Sequence, residues 1–135
     1  MQKTIILTQD QKQILTEHAK KTAPAESCAL LFGHEESMTS TVIEVFLTQN
    51  MESSPVNFTI SNEELLSGYR EAEKKGLDVI GIFHSHPHSE AIPSNTDKKF
   101  MTINPVVWMI YSNKEDQLNA FVLESKIIPV MIKIT

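Results

Sequence analysis

The apolar run Val79-Ile80-Gly81-Ile82-Phe83 leads without a break into His84-Ser85-His86-Pro87, and this junction constrains the chain more than any other stretch. Side chains alternate along a strand, so His84 and His86 project from the same face. Asp97 returns a carboxylate from the next element, in the first turn of a helix opened by Ser94. Two imidazoles and a carboxylate fill three of the four positions that Zn2+ takes. The position left to water is the mark of a catalytic rather than a structural zinc.

The rest of the chain reads as alternating strands and helices. Residues 3–7 predict an edge strand. Thr8-Gln9-Asp10-Gln11 is a capping box that opens a helix to about Thr22, and Pro24 ends it. Ser27 to Gly33 is a nearly continuous apolar run and predicts a buried strand. Residues 39–48 pair with it as a hairpin. Residues 50–57 form a loop, followed by a short extended piece at Phe58-Thr59-Ile60. Ser61-Asn62-Glu63-Glu64 predicts a second capping box, with Leu65, Leu66, Tyr69 and Ala72 on one side of its helix and Gly76 as the stop. After the 78–83 strand comes the short helix from Ser94 to about Ile103, broken by Pro105. Strands over 106–112, 117–124 and 126–134 complete an α/β layout around one mixed sheet flanked by helices. A chain of 135 residues suits a single domain, 1–135.

Composition removes several function classes. Twelve basic against 17 acidic residues give a net charge of −5, and no Lys/Arg cluster exceeds a pair, which argues against nucleic-acid binding. No apolar stretch approaches the roughly 18 residues of a membrane span. Met1-Gln2-Lys3 leads straight into Thr4-Ile5-Ile6-Leu7 without the pattern of a secretory signal. The single cysteine, Cys28, excludes an intrachain disulfide and a cysteine-rich zinc site, in keeping with a reducing cytoplasm.

Hydrolysis at a zinc needs a second carboxylate that takes the water's proton and returns it to the leaving amine without binding the metal. Glu26, at the mouth of the buried 27–33 strand, is the candidate. Ser94 can cap the helix, and its hydroxyl is also placed to donate to an oxyanion. His88 reads as a loop residue, His18 as a packing or surface residue, His34 as solvated, Cys28 as a small hydrophobe and Trp108 as core.

These positions carry a resemblance. A distant Glu26, then His84-Ser85-His86-Pro87, then Ser94 and Asp97 in the pattern S-x-x-D resemble the signature of the JAMM (MPN+) metalloprotease family. Pro24-Ala25-Glu26-Ser27-Cys28-Ala29-Leu30-Leu31-Phe32-Gly33 is similar to the family strand P-x-E-x-C-G-x-L-x-G, with Ala29 where many relatives have glycine. Ser54-Pro55-Val56-Asn57-Phe58 and the 76–83 segment are similar to other family blocks, so the likeness covers about residues 5–125. It implies a cytidine-deaminase-like α/β/α sandwich and a deubiquitinase-like zinc isopeptidase. That enzyme would cut behind the C-terminus of ubiquitin or a ubiquitin-like modifier. It further implies His84, His86 and Asp97 as zinc ligands, Glu26 as the base and Ser94 at the oxyanion.

A processing peptidase that trims a small sulfur-carrier protein to a Gly-Gly end needs the same centre. So would a subunit of a proteasome-like assembly. In either case the substrate's flexible tail is expected near residues 51–58, paired to a strand edge. A scaffold role is disfavoured because all five site positions are present. A nucleoside deaminase would need H-x-E and P-C-x-x-C, and neither occurs.

Overall fold

The computed structural model describes residues 2–135; Met1, where the expected domain begins, lies outside them. The elements run β1 (Thr4–Leu7), α1 (Gln9–Thr22), β2 (Cys28–Glu36), β3 (Thr39–Thr48), α2 (Asn62–Lys74), β4 (Asp78–His86), α3 (Asn95–Ile103), β5 (Val107–Ser112), β6 (Gln117–Leu123) and β7 (Ile127–Ile134). No helix among the described residues is long and apolar enough to cross a membrane.

The α/β layout with a mixed sheet is present, but the sheet closes on itself in the order β1-β3-β2-β4-β5-β6-β7. The closing strand is β1, which pairs parallel with β3 on one side and with β7 on the other. It is therefore interior to the sheet, not the edge strand its position in the sequence suggested. Ile5 and Leu7 are buried, so this short strand is anchored by its side chains as well as by its ladders. β4 lies between β2, antiparallel, and β5, parallel. The parallel pair needs a crossover, and α3 provides it. The carboxyl end of a strand followed by such a crossover is where α/β proteins commonly build their sites. His84 and His86 stand at that end of β4.

Side-chain alternation divides the core. Ala29, Leu31, Phe83, Met109 and Tyr111 pack on one face with Leu15 and Ala19 of α1. Cys28, Leu30, Ile82, Trp108 and Ile110 pack on the other with Ala72 of α2 and Met101 of α3. The register between β2 and β4 shifts at Leu31/Phe32, leaving Ile80 as an extra residue in β4. A bulge of this kind swaps which alternate residues face which side. It sets Ile80 in the first cluster although Ile82, two residues on, is in the second.

The helix starts are chemically explicit. Thr8 accepts from the Gln11 backbone N–H while the Gln11 side chain accepts from the Thr8 N–H, a complete capping box. At α2 only half of the expected box forms. Ser61 accepts from the Glu64 N–H at 3.1 Å, but the Glu64 carboxylate turns away to accept from the Gln49 N–H at 3.0 Å. The Phe58–Ile60 piece forms no strand. Its polar groups go to Asn50 and Met51 instead: Thr59 N–H donates to Asn50 Oδ1, and Met51 N–H donates to Thr59 O.

Candidate metal centre

Three side chains meet behind the end of β4. His84 Nε2 lies 3.1 Å from His86 Nε2 and 3.0 Å from Asp97 Oδ2, and His86 Nε2 lies 3.1 Å from the same oxygen. All three residues are buried. Neighbouring donors on a tetrahedral ion with bonds of about 2.0–2.1 Å stand roughly 3.3–3.4 Å apart, so the triangle is close to one face of such an ion's shell.

The donor chemistry also fits a cation. His86 Nδ1 lies 2.8 Å from the carbonyl oxygen of Glu90. That oxygen can only accept, so the neutral ring carries its proton on Nδ1 and points a bare lone pair from Nε2 into the triangle. A carbonyl that fixes the tautomer in this way is what metal-binding histidines usually have behind them. With the His86 proton committed, a neutral His84 can bring at most one proton to three electron-rich atoms. His84 Nδ1 is buried and has no hydrogen-bond partner. Its ring is held by packing, stacked on Phe58 at 4.9 Å and edge-on to Trp108 at 5.7 Å.

Electrostatics agree with the geometry. Burial lowers the His84 pKa from its ordinary value and favours the neutral ring. At His86 burial acts the same way, but the hydrogen bonds to Asp97 and Glu90 outweigh it and the net shift is upward. Burial alone would raise the Asp97 carboxyl. The two histidines overcome it and hold Asp97 well below the usual carboxylate range, ionised at any working pH.

Ser94 is the N-cap of α3. Its oxygen accepts from the Asp97 N–H at 3.0 Å, and its own N–H donates to Asp97 Oδ2 at 2.9 Å. The capping box thus orients the carboxylate of the triangle. A hydroxyl accepts with its lone pairs and donates with its hydrogen. Capping therefore leaves the Ser94 hydroxyl proton free for another acceptor.

Glu26 arrives from the other side. One of its carboxylate oxygens and a ring nitrogen from each of His84 and His86 lie within 4.8 Å of one another. Its buried Oε1 has no hydrogen-bond partner. Continuing the β2–β4 register beyond Cys28↔His84 brings Glu26 opposite His86. Burial pushes the Glu26 carboxyl up to about 8; His86 pulls the other way, and Asp97 and Glu52 add to the rise. A buried acid with an orphan oxygen beside a metal-shaped triangle is suited to hold and release a proton.

This shift has a stability consequence in metal-free protein. A folded-state pKa of about 8, against an ordinary 4.5, means that folding favours protonated Glu26. The associated stability is complete below about pH 4.5 and is lost as pH rises through 8. Glutamine cannot ionise, so Glu26→Gln should match wild type near pH 5 and exceed it above pH 8 by on the order of a few kcal/mol. Chemical denaturation with EDTA present, at pH 5, 7 and 9, measures the difference.

The sequence pattern alone did not reveal the supports of this centre. Asn50 is buried and spends its whole amide: Nδ2 donates to the carbonyls of Glu26 and Asn57, and Oδ1 accepts from Glu52 and Thr59. Ser85 and Ser27 join β4 to the start of β2 through hydrogen bonds of 2.8 and 2.9 Å. His18 places Nε2 at 3.0 and 3.1 Å from the carbonyl oxygens of Cys28 and Thr48, tying α1 to the site strand. An asparagine after a strand is a signal for such a hub, but its partners depend on tertiary structure. Cys28 is a buried thiol pushed up by burial to about 11, which keeps it protonated near neutral pH.

A family model described as prokaryotic homologs of the JAB domain matches residues 8–124. The chain belongs to the JAB family. This JAB domain is 40% identical over 101 residues to a desampylase of Pyrococcus furiosus, covering 75% of this chain and 69% of that protein. It is 29% identical over 111 residues to the CysO-cysteine peptidase of Mycobacterium tuberculosis, covering 82% and 75% respectively. Among solved structures, the solution structure of a Desulfitobacterium hafniense protein matches with a TM-score of 0.89 at 28% identity, covering 98% of this chain and 93% of that one. The JAB chain described here is an enzyme of the hydrolase class.

Proposed function

We propose that this JAB enzyme is a zinc metallopeptidase that cuts the bond behind the C-terminus of a small ubiquitin-like protein of the sulfur-carrier type. The observation that carries the reading is the 3.0–3.1 Å triangle of His84, His86 and Asp97 with the unpartnered Glu26 carboxylate beside it. The names of the relatives favour a sulfur-carrier-type protein over ubiquitin itself as the substrate.

In this reading His84 Nε2, His86 Nε2 and Asp97 Oδ2 hold the metal. Bound there, zinc would polarise the scissile carbonyl and bring the pKa of a water down to about 7. Glu26 takes the water's proton and delivers it to the leaving nitrogen. Burial favours this role, because a base whose proton affinity is near neutrality works in both directions. The Ser94 hydroxyl proton, left over from capping, is offered to the oxygen that gains charge as the carbonyl becomes tetrahedral. Glu90, through its carbonyl, keeps the His86 lone pair aimed at the metal.

Phe58 ends the loop where docking of a substrate tail is expected. It is buried against His84, so it supports a ligand first and lines an apolar groove with Ile60, Leu65, Phe100 and Trp108 second.

Metal analysis of purified protein should return about one zinc per chain. Phenanthroline should abolish cleavage of a fusion in which a Gly-Gly-tailed β-grasp protein precedes the scissile bond, and added zinc should restore it. Undiminished cleavage by metal-free protein would refute the assignment.

A further inference from the structure

Glu26 and the histidines belong to different segments, and something must fix the distance between them. The join is made by two serines. Ser85, between the two histidines, and Ser27, next to Glu26, are both fully buried. Ser27 N–H donates to Ser85 Oγ at 2.8 Å, and the Ser27 hydroxyl donates to the same oxygen at 2.9 Å. The Ser85 N–H completes the link by donating to Ser27 O at 3.1 Å. β2 begins only at Cys28, so Ser27 lies just beyond its regular ladder. Among these three bonds, the one that would be a backbone–backbone contact from the Ser27 amide is made instead to a side chain.

Alternation explains why the arrangement acts on Glu26. Ser27 and Ser85 face one side of the paired segments; Glu26, His84 and His86 face the other. A bond that fixes Ser27 against Ser85 sets how far the neighbouring Glu26 stands from His86 without touching either reacting group. Loop contacts hold Glu26 from the opposite direction: its N–H donates to Ser54 O at 2.7 Å, and its carbonyl accepts from Asn50.

We propose that the Ser85 hydroxyl is a positioning residue that holds the Glu26 segment in register with the two histidines. This rests on the reading of Glu26 as the base. Losing an outer partner of a metal centre, or displacing a catalytic group by about an ångström, costs roughly 10- to 100-fold in rate. Ser85→Ala should lower kcat on the Gly-Gly fusion by about that factor, with KM and zinc content unchanged. Ser85→Cys preserves the volume but offers a poor acceptor, and it should fall in the same direction. Ser85→Thr keeps the hydroxyl and should recover most of the rate.

Amide hydrogen exchange supplies a readout independent of turnover. In Ser85→Ala, and in Ser85→Cys should the alanine variant not fold, the Ser27 amide should exchange faster while the β4 and β5 amides keep their protection. Wild-type kcat, unchanged Ser27 exchange, or a loss of protection spread evenly over all strands would each overturn the proposal. Glu26→Gln separates it from the reading on which it rests. If that variant still turns over, the base is misassigned. If it is inactive while the Ser85 variants keep full kcat, only the positioning role fails.

Discussion

Glu26→Gln should retain zinc and lose roughly 10²- to 10⁴-fold in kcat, the range that a positioned general base supplies. The substitution keeps the side chain's shape and leaves the triangle of His84, His86 and Asp97 intact. It removes only the capacity to accept a proton. Since the carboxyl is buried and its Oε1 has no hydrogen-bond partner, no compensating bond is lost with it. The decisive measurement pairs zinc content with single-turnover cleavage of the fusion. Zinc present with cleavage absent assigns the base. Zinc lost together with cleavage would make Glu26 a ligand, which its position within 4.8 Å of both rings allows one to ask.

Asp97→Asn should have the largest effect on the metal. Its Oδ2 is the one atom that meets both ring nitrogens, and the neighbouring histidines keep its carboxylate ionised against the opposing effect of burial. Outer partners of zinc ligands are worth 10- to 100-fold in affinity, so losing this carboxylate should weaken zinc binding by more than about 100-fold. Turnover at limiting zinc should disappear with it. Asparagine retains an amide oxygen that can accept from Ser94 N–H, so the start of α3 should survive, while the metal-free protein loses the pairing of the carboxylate with His84 and His86 and should melt lower at neutral pH. Alanine at the same position would also break the capping box and cost about a further 1 kcal/mol. Zinc competition titrations on the two variants, with melting curves, separate ligand loss from helix damage. Wild-type zinc affinity in Asp97→Asn would remove Asp97 from the ligand set.

The parts of this molecule that were legible in its sequence are those governed by near neighbours along the chain. Strand periodicity put His84 and His86 on one face, and the Ser94-x-x-Asp97 spacing predicted a helix start that the structure shows as a complete capping box. The Thr8 box is equally local. What was hidden depends on distant partners. Glu64 satisfies its half of a capping box on paper, yet Gln49 competes for the carboxylate and wins. The bulge at Ile80 arises from pairing with β2, and no residue of β4 announces it. Thr4-Ile5-Ile6-Leu7 resembles an edge strand because nothing in four residues reveals that β7 will take its second side. The supporting polar groups were missed for the same reason. Serine and asparagine are ordinary in loops, and only their tertiary partners distinguish Ser27, Ser85 and Asn50.

The pairing of β1 with β7 also bears on biosynthesis. β1 finds one of its two neighbours only after every other strand of the sheet has been translated, because its partner β7 comes last in the order of elements. Until then β1 has only β3 beside it, and Ile5 and Leu7 await the apolar side chains that will cover them. Contacts so remote in sequence slow folding and prolong the exposure of unpaired strands. A nascent chain stalled before residue 127 should therefore be a client for chaperones, although every group of the candidate metal centre has already been made.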